Sequence, residues 1–518
     1  MDQWLYLGEM IKVNSEKFPD KMAVKDETRT LTFKEYNERS CRLANGLMRL
    51  GISKGDRMAI ISQNCIEWME IYAATAKSGI IAVPINWRLT APDIAYIIND
   101  SDTKAFIVQN AFVSEVEKAR KDLKGVKHFI YIGPRESIPR GWVHLEDVVA
   151  KGGPEEPKVK IQGEETWIQL YTSGTTGKPK GVLRSHRSYL AFFLLTDIEF
   201  QFHRDDIGMY VMPLCHVNST FFSFDLTYIG ASVYIFPDFN FRAERMLEVI
   251  DREKITFTSL VPTHYALILS LPEEVKKGFN GKSIKHLLCS SAPVRQQTKR
   301  DIMKFFPNAK LFEAYGSTEA GLVTLLRPEE QLTYLGSVGK ENVGAPILKI
   351  LDENKRPVPE GEVGELYSKG PMIFTEYYHL PEKTKEAFTE DGFFTAGDMA
   401  RKDKDGYYYI VDRKANMIIT GGEHVYPTEV EEVVARHPGV FDLAVIGTPH
   451  EKWGEQVTAI VVIREGSTVT EEEIIEFCKD KLASFKRPKR VIFIKNEEMP
   501  RTTTGKILHR VLRERYSK

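Results

Sequence analysis

Two short apolar runs, MAIISQN at 58–64 and IIAVPIN at 80–86, lack the polar alternation of a half-wet strand, so each reads as a strand buried on both faces. The segment between them is helical in character, and strand, helix, strand in that order is the rhythm of parallel βαβ construction. The rhythm returns in VIDREKITFTSLVPT (249–263) and IKHLLCSSAPV (284–294). Thr32-Phe33-Lys34-Glu35 reads as a capping box opening a helix with Tyr36, Leu43, Leu47 and Leu50 on one face and Gly51 at its end. An α/β fold class follows. From about residue 340 the chain turns to short strands punctuated by Gly and Pro (VGAPILKILDENKRPVPEGEVGELYSKG), the mark of a small β-rich layer. After VDRKANMII it changes again: EVEEVVARHPGV reads as a helix, FDLAVIG and QVTAIVVI as strands, and Thr470 as the cap of a further helix, together a compact α+β unit. These shifts predict a large N-terminal domain over 1–414 and a small C-terminal one over 415–518.

A length of 518 residues fits several structural units with sizeable cores. A formal net charge of −1 gives no global field for nucleic acid or acidic lipid. Five scattered cysteines without a CxxC pair suggest neither a disulfide framework nor a zinc site, and predict free buried thiols in a reducing, cytoplasmic setting. The N-terminus MDQWLYLGEM lacks signal-peptide character, the end RYSK is no peroxisomal tail, and no apolar run approaches the roughly 18 residues that span a bilayer.

YTSGTTGKPKG (171–181) packs four Ser or Thr hydroxyls, three Gly and two Lys into eleven positions. Such a loop can turn backbone N–H groups and hydroxyls onto one polyanion while Lys178 and Lys180 supply charge, which points to a triphosphate. Its spacing does not fit GxxxxGK[ST], so this is no P-loop. Further along come MPLCH (212–216), YGSTE (315–319), TAGD (395–398), VDRKANMIITGGEHVYP (411–427) and PRTTTGKI (500–507). These segments, in this order over roughly residues 10 to 510, resemble the adenylate-forming enzymes: acyl-CoA synthetases, firefly-type luciferases and nonribosomal peptide adenylation domains.

The resemblance implies two doubly wound αβ sheets and a β-barrel-like layer in the large domain, with a mobile small domain. It implies a reaction in two steps: a carboxylate attacks the α-phosphorus of ATP and expels pyrophosphate, then a thiol displaces AMP from the acyl-adenylate. Joining two anions makes charge neutralisation the central catalytic task. By resemblance, Thr172, Ser173, Gly174, Thr175, Thr176 and Gly177 cradle the β- and γ-phosphates, Lys180 helps neutralise them, Glu319 holds Mg2+ and Thr318 meets the α-phosphate. Tyr315 and Gly316 with Ser291, Ala292 and Pro293 enclose adenine, and Asp398 and Arg413 serve the ribose. Lys506 bridges carboxylate and α-phosphate in the first step. In the second, Gly421, Gly422, Glu423 and His424 line the pantetheine passage, and His216 opens the acyl pocket. Trp453, Phe485, Arg487, Lys489 and Arg88 match CoA-binding positions; Val217, Asn218, Phe222, Thr263, His264 and Ser290 are expected around the acyl group.

Three positions depart from the family pattern: Ala415 at the hinge, Ala396 in TAGD, and the Ser290-Ser291 pair beside the acyl pocket. Ser223-Phe224-Asp225 suggests an amine-pairing aspartate, but MPLCH already occupies the corresponding region. The expectation is an AMP-forming acyl-CoA synthetase using ATP, Mg2+ and coenzyme A. Its substrate is a small-molecule carboxylic acid, first a medium- or long-chain fatty acid, with an aromatic, alicyclic or carnitine-like acid as alternative. A carrier-protein-directed adenylation enzyme is a further alternative. No nucleic acid or integral membrane segment is expected; a homodimer stays open.

Overall fold

The computed structural model describes residues 6–172, 178–237, 241–291, 294, 296–501 and 507–517. Ser173, Gly174, Thr175, Thr176, Gly177, Ala292, Pro293 and Lys506 lie outside the described residues. The chain forms two compact units, one of Met1–Ile347 with Ser368–Phe394, the other of Leu348–Tyr367 with Thr395–Lys518.

The first unit holds a nine-stranded and an eight-stranded sheet. In spatial order the strands of the nine-stranded sheet begin at Lys340, Gly321, Lys310, His286, Phe257, Ile207, Ser232, Met22 and Thr30, and neighbours from Lys310 to Met22 pair in parallel. The eight-stranded sheet runs through strands beginning at Glu376, Lys180, Thr166, Ile81, Arg57, Thr103, His128 and Val143, parallel from Thr166 onward. The opening βαβ unit lies here: strand Arg57–Ile61 pairs with Ile81–Ile85, Met58 opposite Ala82, across helix Glu67–Ser78. Gly79, at φ +71°, ends that helix in the left-handed conformation glycine adopts without strain. On its other side Ile81–Ile85 pairs at Ala82–Ile168, short of Pro84, whose missing N–H could not extend the ladder.

The predicted capping box is formed: Thr32 Oγ1 accepts from the Glu35 amide, and helix Phe33–Arg49 follows, burying Tyr36, Leu43 and Leu47. A chain of aromatic rings runs through the core, from Trp68 to Tyr72 at 5.3 Å, Trp167 at 5.5 Å, Tyr189 at 4.7 Å and Phe221 at 5.5 Å. Edge-to-face and tilted pairs of this kind add to the apolar area they bury. All five cysteines are free and buried.

The second unit holds a four-stranded antiparallel sheet with strands beginning at Lys349, Gly364, Asp398 and Tyr408, which is the expected β-rich layer. It also holds a five-stranded sheet built on the long hairpin Val440–His450 and Gly454–Ile463. The single turn Lys414–Asn416 links the two sheets. Thr470 caps helix Glu471–Phe477 with Glu473 in a second capping box. The layer's strands pair with Asp398–Lys402 and so join the compact C-terminal unit. No helix among the described residues is long and apolar enough to cross a membrane.

Candidate active site

In the first unit, strands Thr166–Thr172 and Lys180–Ser185 form an antiparallel hairpin in which Thr172 pairs with Lys180. These two strands flank residues 173–177 of the Gly/Ser/Thr-rich segment in sequence. Strand Lys310–Ser317 leads into a turn at 318–320 before Gly321–Leu326 returns antiparallel. At Gly316 a Cβ would sit 2.1 Å from the Gly321 carbonyl oxygen, so the close return excludes a side chain.

The two hairpins meet at Glu319. Thr172 Oγ1 lies 3.4 Å from Glu319 Oε1, and the Tyr377 hydroxyl donates to the same oxygen at 3.0 Å. The Lys180 ammonium sits 4.0 Å from the centre of the Tyr377 ring. Burial lowers the Lys180 pKa, and the Glu319 charge opposes that shift. Thr318 and Glu319 are both buried. The Phe374 amide donates to the Glu319 carbonyl at 2.7 Å, and the Ala320 amide to Ser317 Oγ at 3.0 Å, so the turn is held from both sides. Tyr315 is half-buried and Gly316 exposed beside this turn.

Close by in sequence to the proposed adenine wall, Ser291 has φ +70° at the end of strand His286–Ser290. Asn218 ties this segment to the helix after MPLCH: its Nδ2 donates to Ser290 Oγ at 2.8 Å and reaches Ser291 Oγ at 3.4 Å, while Ser259 Oγ donates to its Oδ1 at 3.1 Å. His216 caps that helix, its Nδ1 accepting from the Asn218 amide at 3.5 Å, and Val217 is half-buried. Asn218, Ser290 and Ser291 are thus brought together. Phe222 packs against Phe192 and Phe257 in the core. His264 instead stacks on Phe241 at 4.2 Å, and burial pulls its pKa down to about 4, so it is neutral. Thr263 is exposed. Arg88 lies over the Trp87 ring at 4.5 Å.

In the second unit, Asp398 and Arg413 are cross-strand neighbours joined by a 2.8 Å salt bridge. Thr395 Oγ1 donates to Glu365, and Ala396 brings no hydroxyl of its own. The Ala415 carbonyl accepts from Arg513 Nη1 at 2.6 Å, and Asp412 binds Asn416 and Thr428, so backbone and neighbours hold the link that the Ala415 side chain does not. Gly421 and Gly422, at φ +60° and +88°, form the two-residue turn between strands Ile418–Thr420 and Glu423–Val425. That turn demands glycine in its own right. Glu423 and His424 are exposed beyond it. The Gly421 amide donates to the Trp453 carbonyl at 2.8 Å, and the Trp453 ring stacks on His450 at 4.2 Å with the Lys489 ammonium 5.8 Å away. Arg487 and Lys489 cap the carbonyls of Leu482 and Ser484, and Phe485 packs partly against the domain core.

Sequence reasoning missed Tyr377, which no local pattern marks.

Residues 11–378 match the family described as AMP-binding enzyme, and residues 429–506 match its C-terminal domain. The chain is 34% identical over 495 residues to long-chain-fatty-acid–CoA ligase FadD13 of Mycobacterium tuberculosis, covering 94% of this chain and 93% of that one. It is 32% identical over 519 residues to fatty acid–[acyl-carrier-protein] ligase ScoC of Streptomyces coeruleorubidus, covering 98% and 96%. Among solved structures, ATP-bound MatB from Rhodopseudomonas palustris superposes with a TM-score of 0.87 at 30% identity, covering 100% of this chain and 99% of that one. This chain belongs to the AMP-binding enzyme family, in the adenylate-forming superfamily. It is an acid–thiol ligase.

Proposed function

We propose that the chain is an AMP-forming acyl-CoA synthetase. In the first step a carboxylate oxygen forms a bond to the α-phosphorus of ATP and the bond to pyrophosphate breaks. In the second the CoA sulfur bonds to the acyl carbon, AMP leaves, and the thiol proton passes to solvent. The observation that carries this reading is the gathering of Thr172, Lys180 and Tyr377 around Glu319, where two hairpins meet. Small donors and one cation surround one carboxylate there, which suits a polyphosphate arriving with its own counter-ion.

The residues present fit Mg2+ in that role. No group of three or more His, Cys, Asp or Glu that could hold a metal occurs among the described residues, and Mg2+ is commonly bound through one or two carboxylates plus substrate phosphates. Glu319 would hold it, with Thr318 beside the α-phosphate; the ion supplies neutralisation of phosphate charge. Tyr377 fixes the carboxylate, and Lys180 balances it. Lys506 acts in the first step, and Gly421 to His424 with Trp453 in the second, with Ala415 as the pivot between them. Asp398, paired with Arg413, receives the ribose hydroxyls.

For the acid, a medium- or long-chain fatty acid is the first reading, supported by the likeness to the mycobacterial ligase. The polar patch of Asn218, Ser259 and Ser290 favours a shorter acid with a ring or polar substituent as the second. A panel from acetate to octadecanoate with benzoates and betaines, read by AMP release with and without CoA, tests both. CoA-dependent AMP release with one class supports the reading. Transfer to a carrier protein without CoA, as the name of the Streptomyces relative implies for that protein, would replace it.

A further inference from the structure

Arg184 is fully buried in the strand that returns from the Gly/Ser/Thr-rich loop, four residues after Lys180. Its guanidinium has no carboxylate at salt-bridge distance among the described residues. It is spent on backbone instead: Nη1 donates to the Thr318 carbonyl at 2.6 Å and reaches the Glu319 carbonyl at 3.4 Å, while Nη2 donates to Met372 at 2.5 Å. The Phe221 and Tyr189 rings lie 4.7 and 5.3 Å from its central carbon. Burying a cation is costly, and a leucine would serve packing alone. Burial pulls its pKa down to about 10, opposed by Tyr189 and then by the Glu319 charge, so it stays protonated at neutral pH.

We propose that Arg184 is a positioning residue for the polyphosphate site: it fixes the Thr318–Glu319 turn from behind through three carbonyls and brings a positive charge there that no carboxylate bonds directly among the described residues. The inference rests on the reading of Glu319 as the carboxylate that meets MgATP. Two features set this grip apart from ordinary core packing. The carbonyls it holds belong to the two residues assigned to phosphate and metal, and the third, Met372, opens the segment that brings Phe374 and Tyr377 onto the same glutamate. A carboxylate partner would have secured the arginine equally well but cancelled its charge.

The test compares Arg184→Met, Arg184→Lys and the unaltered full chain by calorimetry with MgATP and with AMP, by Mg2+ titration of ATP binding, and by thermal denaturation. AMP lacks the β- and γ-phosphates and so reports the rest of the nucleotide site. Arg184→Met should weaken MgATP about tenfold or more, raise the Mg2+ midpoint, and leave AMP within about threefold; Arg184→Lys should fall between. A lowered melting temperature with an unchanged ratio of MgATP to AMP affinity would make the residue merely structural and overturn the proposal. Should the methionine variant fail to fold, the lysine variant decides, because an ammonium cannot span three carbonyls and the ratio must still shift. Glu319→Gln is the control for the underlying reading. Unchanged MgATP affinity in that variant removes the reading itself, whereas weakened affinity there with a normal ratio in Arg184→Lys removes the arginine proposal alone.

Discussion

Tyr377 donates to Glu319 Oε1 at 3.0 Å while its ring lies 4.0 Å from the Lys180 ammonium, so one side chain holds the acid and the base of the site apart and in place. Tyr377→Phe keeps the ring under Lys180 and removes the hydroxyl. A hydrogen bond to a charged group contributes about 1.5–3 kcal/mol, so MgATP should bind about tenfold or more weakly. Titration calorimetry with MgATP checks this, and unchanged affinity would remove Tyr377 from the site.

Lys506→Ala should suppress acid-dependent pyrophosphate release by about a hundredfold or more, as expected on losing one charge contact in the transition state. CoA attack on supplied acyl-adenylate should be largely spared. Stopped-flow measurement of each half-reaction separates the two, and equal losses would refute the assignment.

Gly422 has φ +88° and nothing within 4 Å of an added Cβ. Gly422→Ala and Gly422→Val should both destabilise the turn, by about 1 kcal/mol or somewhat more. If the pantetheine arm passes this turn, only the larger side chain should strongly slow thioester formation, with adenylation preserved in both. Equal thioester rates in the two variants would leave the turn itself as the glycine's whole role.

His509 gives a pH test. Burial disfavours its charged ring, yet the 2.9 Å contact to Glu431 and the charges of Glu431 and Asp412 outweigh it, so its pKa is raised above 6.5. A raised imidazole stabilises the fold fully below the unfolded value near 6.5 and loses that contribution as pH climbs through the folded one. Urea unfolding of the native chain and His509→Gln should show a stability gap at pH 6 that narrows toward alkaline pH. A gap constant across that range would mean the ring acts by packing alone.

Asp225 has the opposite sign. It is fully buried, neither carboxylate oxygen has a hydrogen-bond partner among the described residues, and burial with the nearby Asp197 charge pushes its pKa well up. The folded chain keeps a proton that the unfolded chain gives up above about 3.8, so this residue costs stability increasingly as pH rises from there. Asp225→Asn should raise the melting temperature at pH 7 more than at pH 4; a uniform or reversed change would sink the idea.

Local signals were legible in the sequence. The runs at 58–64 and 80–86 became adjacent parallel strands, and Thr32 and Thr470 cap the helices their spacing announced, because capping and strand periodicity depend on residues within a few positions of each other. Six motifs in order were enough for the family. What stayed hidden depends on contacts made across long stretches of chain. Nothing within a few positions of Arg184 accounts for its burial, whereas the carbonyls at 318, 319 and 372 do. Tyr377 and Glu319 are 58 positions apart. The layer after residue 340 was recognisable by composition, but its grouping with the C-terminal unit follows from strand pairing with Asp398–Lys402.

The ring chain through the first unit has an optical consequence. Trp68 and Trp167, two of the six tryptophans, are fully sheltered from water, and Trp167 stands edge-on to Tyr189, whose ring also meets Phe193 and Phe221, the latter next in sequence to Phe222 of the expected acyl pocket. Indole emission responds to the polarity and motion of its surroundings, so the unlabelled enzyme carries an intrinsic fluorescent gauge within the ring chain that runs on to Phe221.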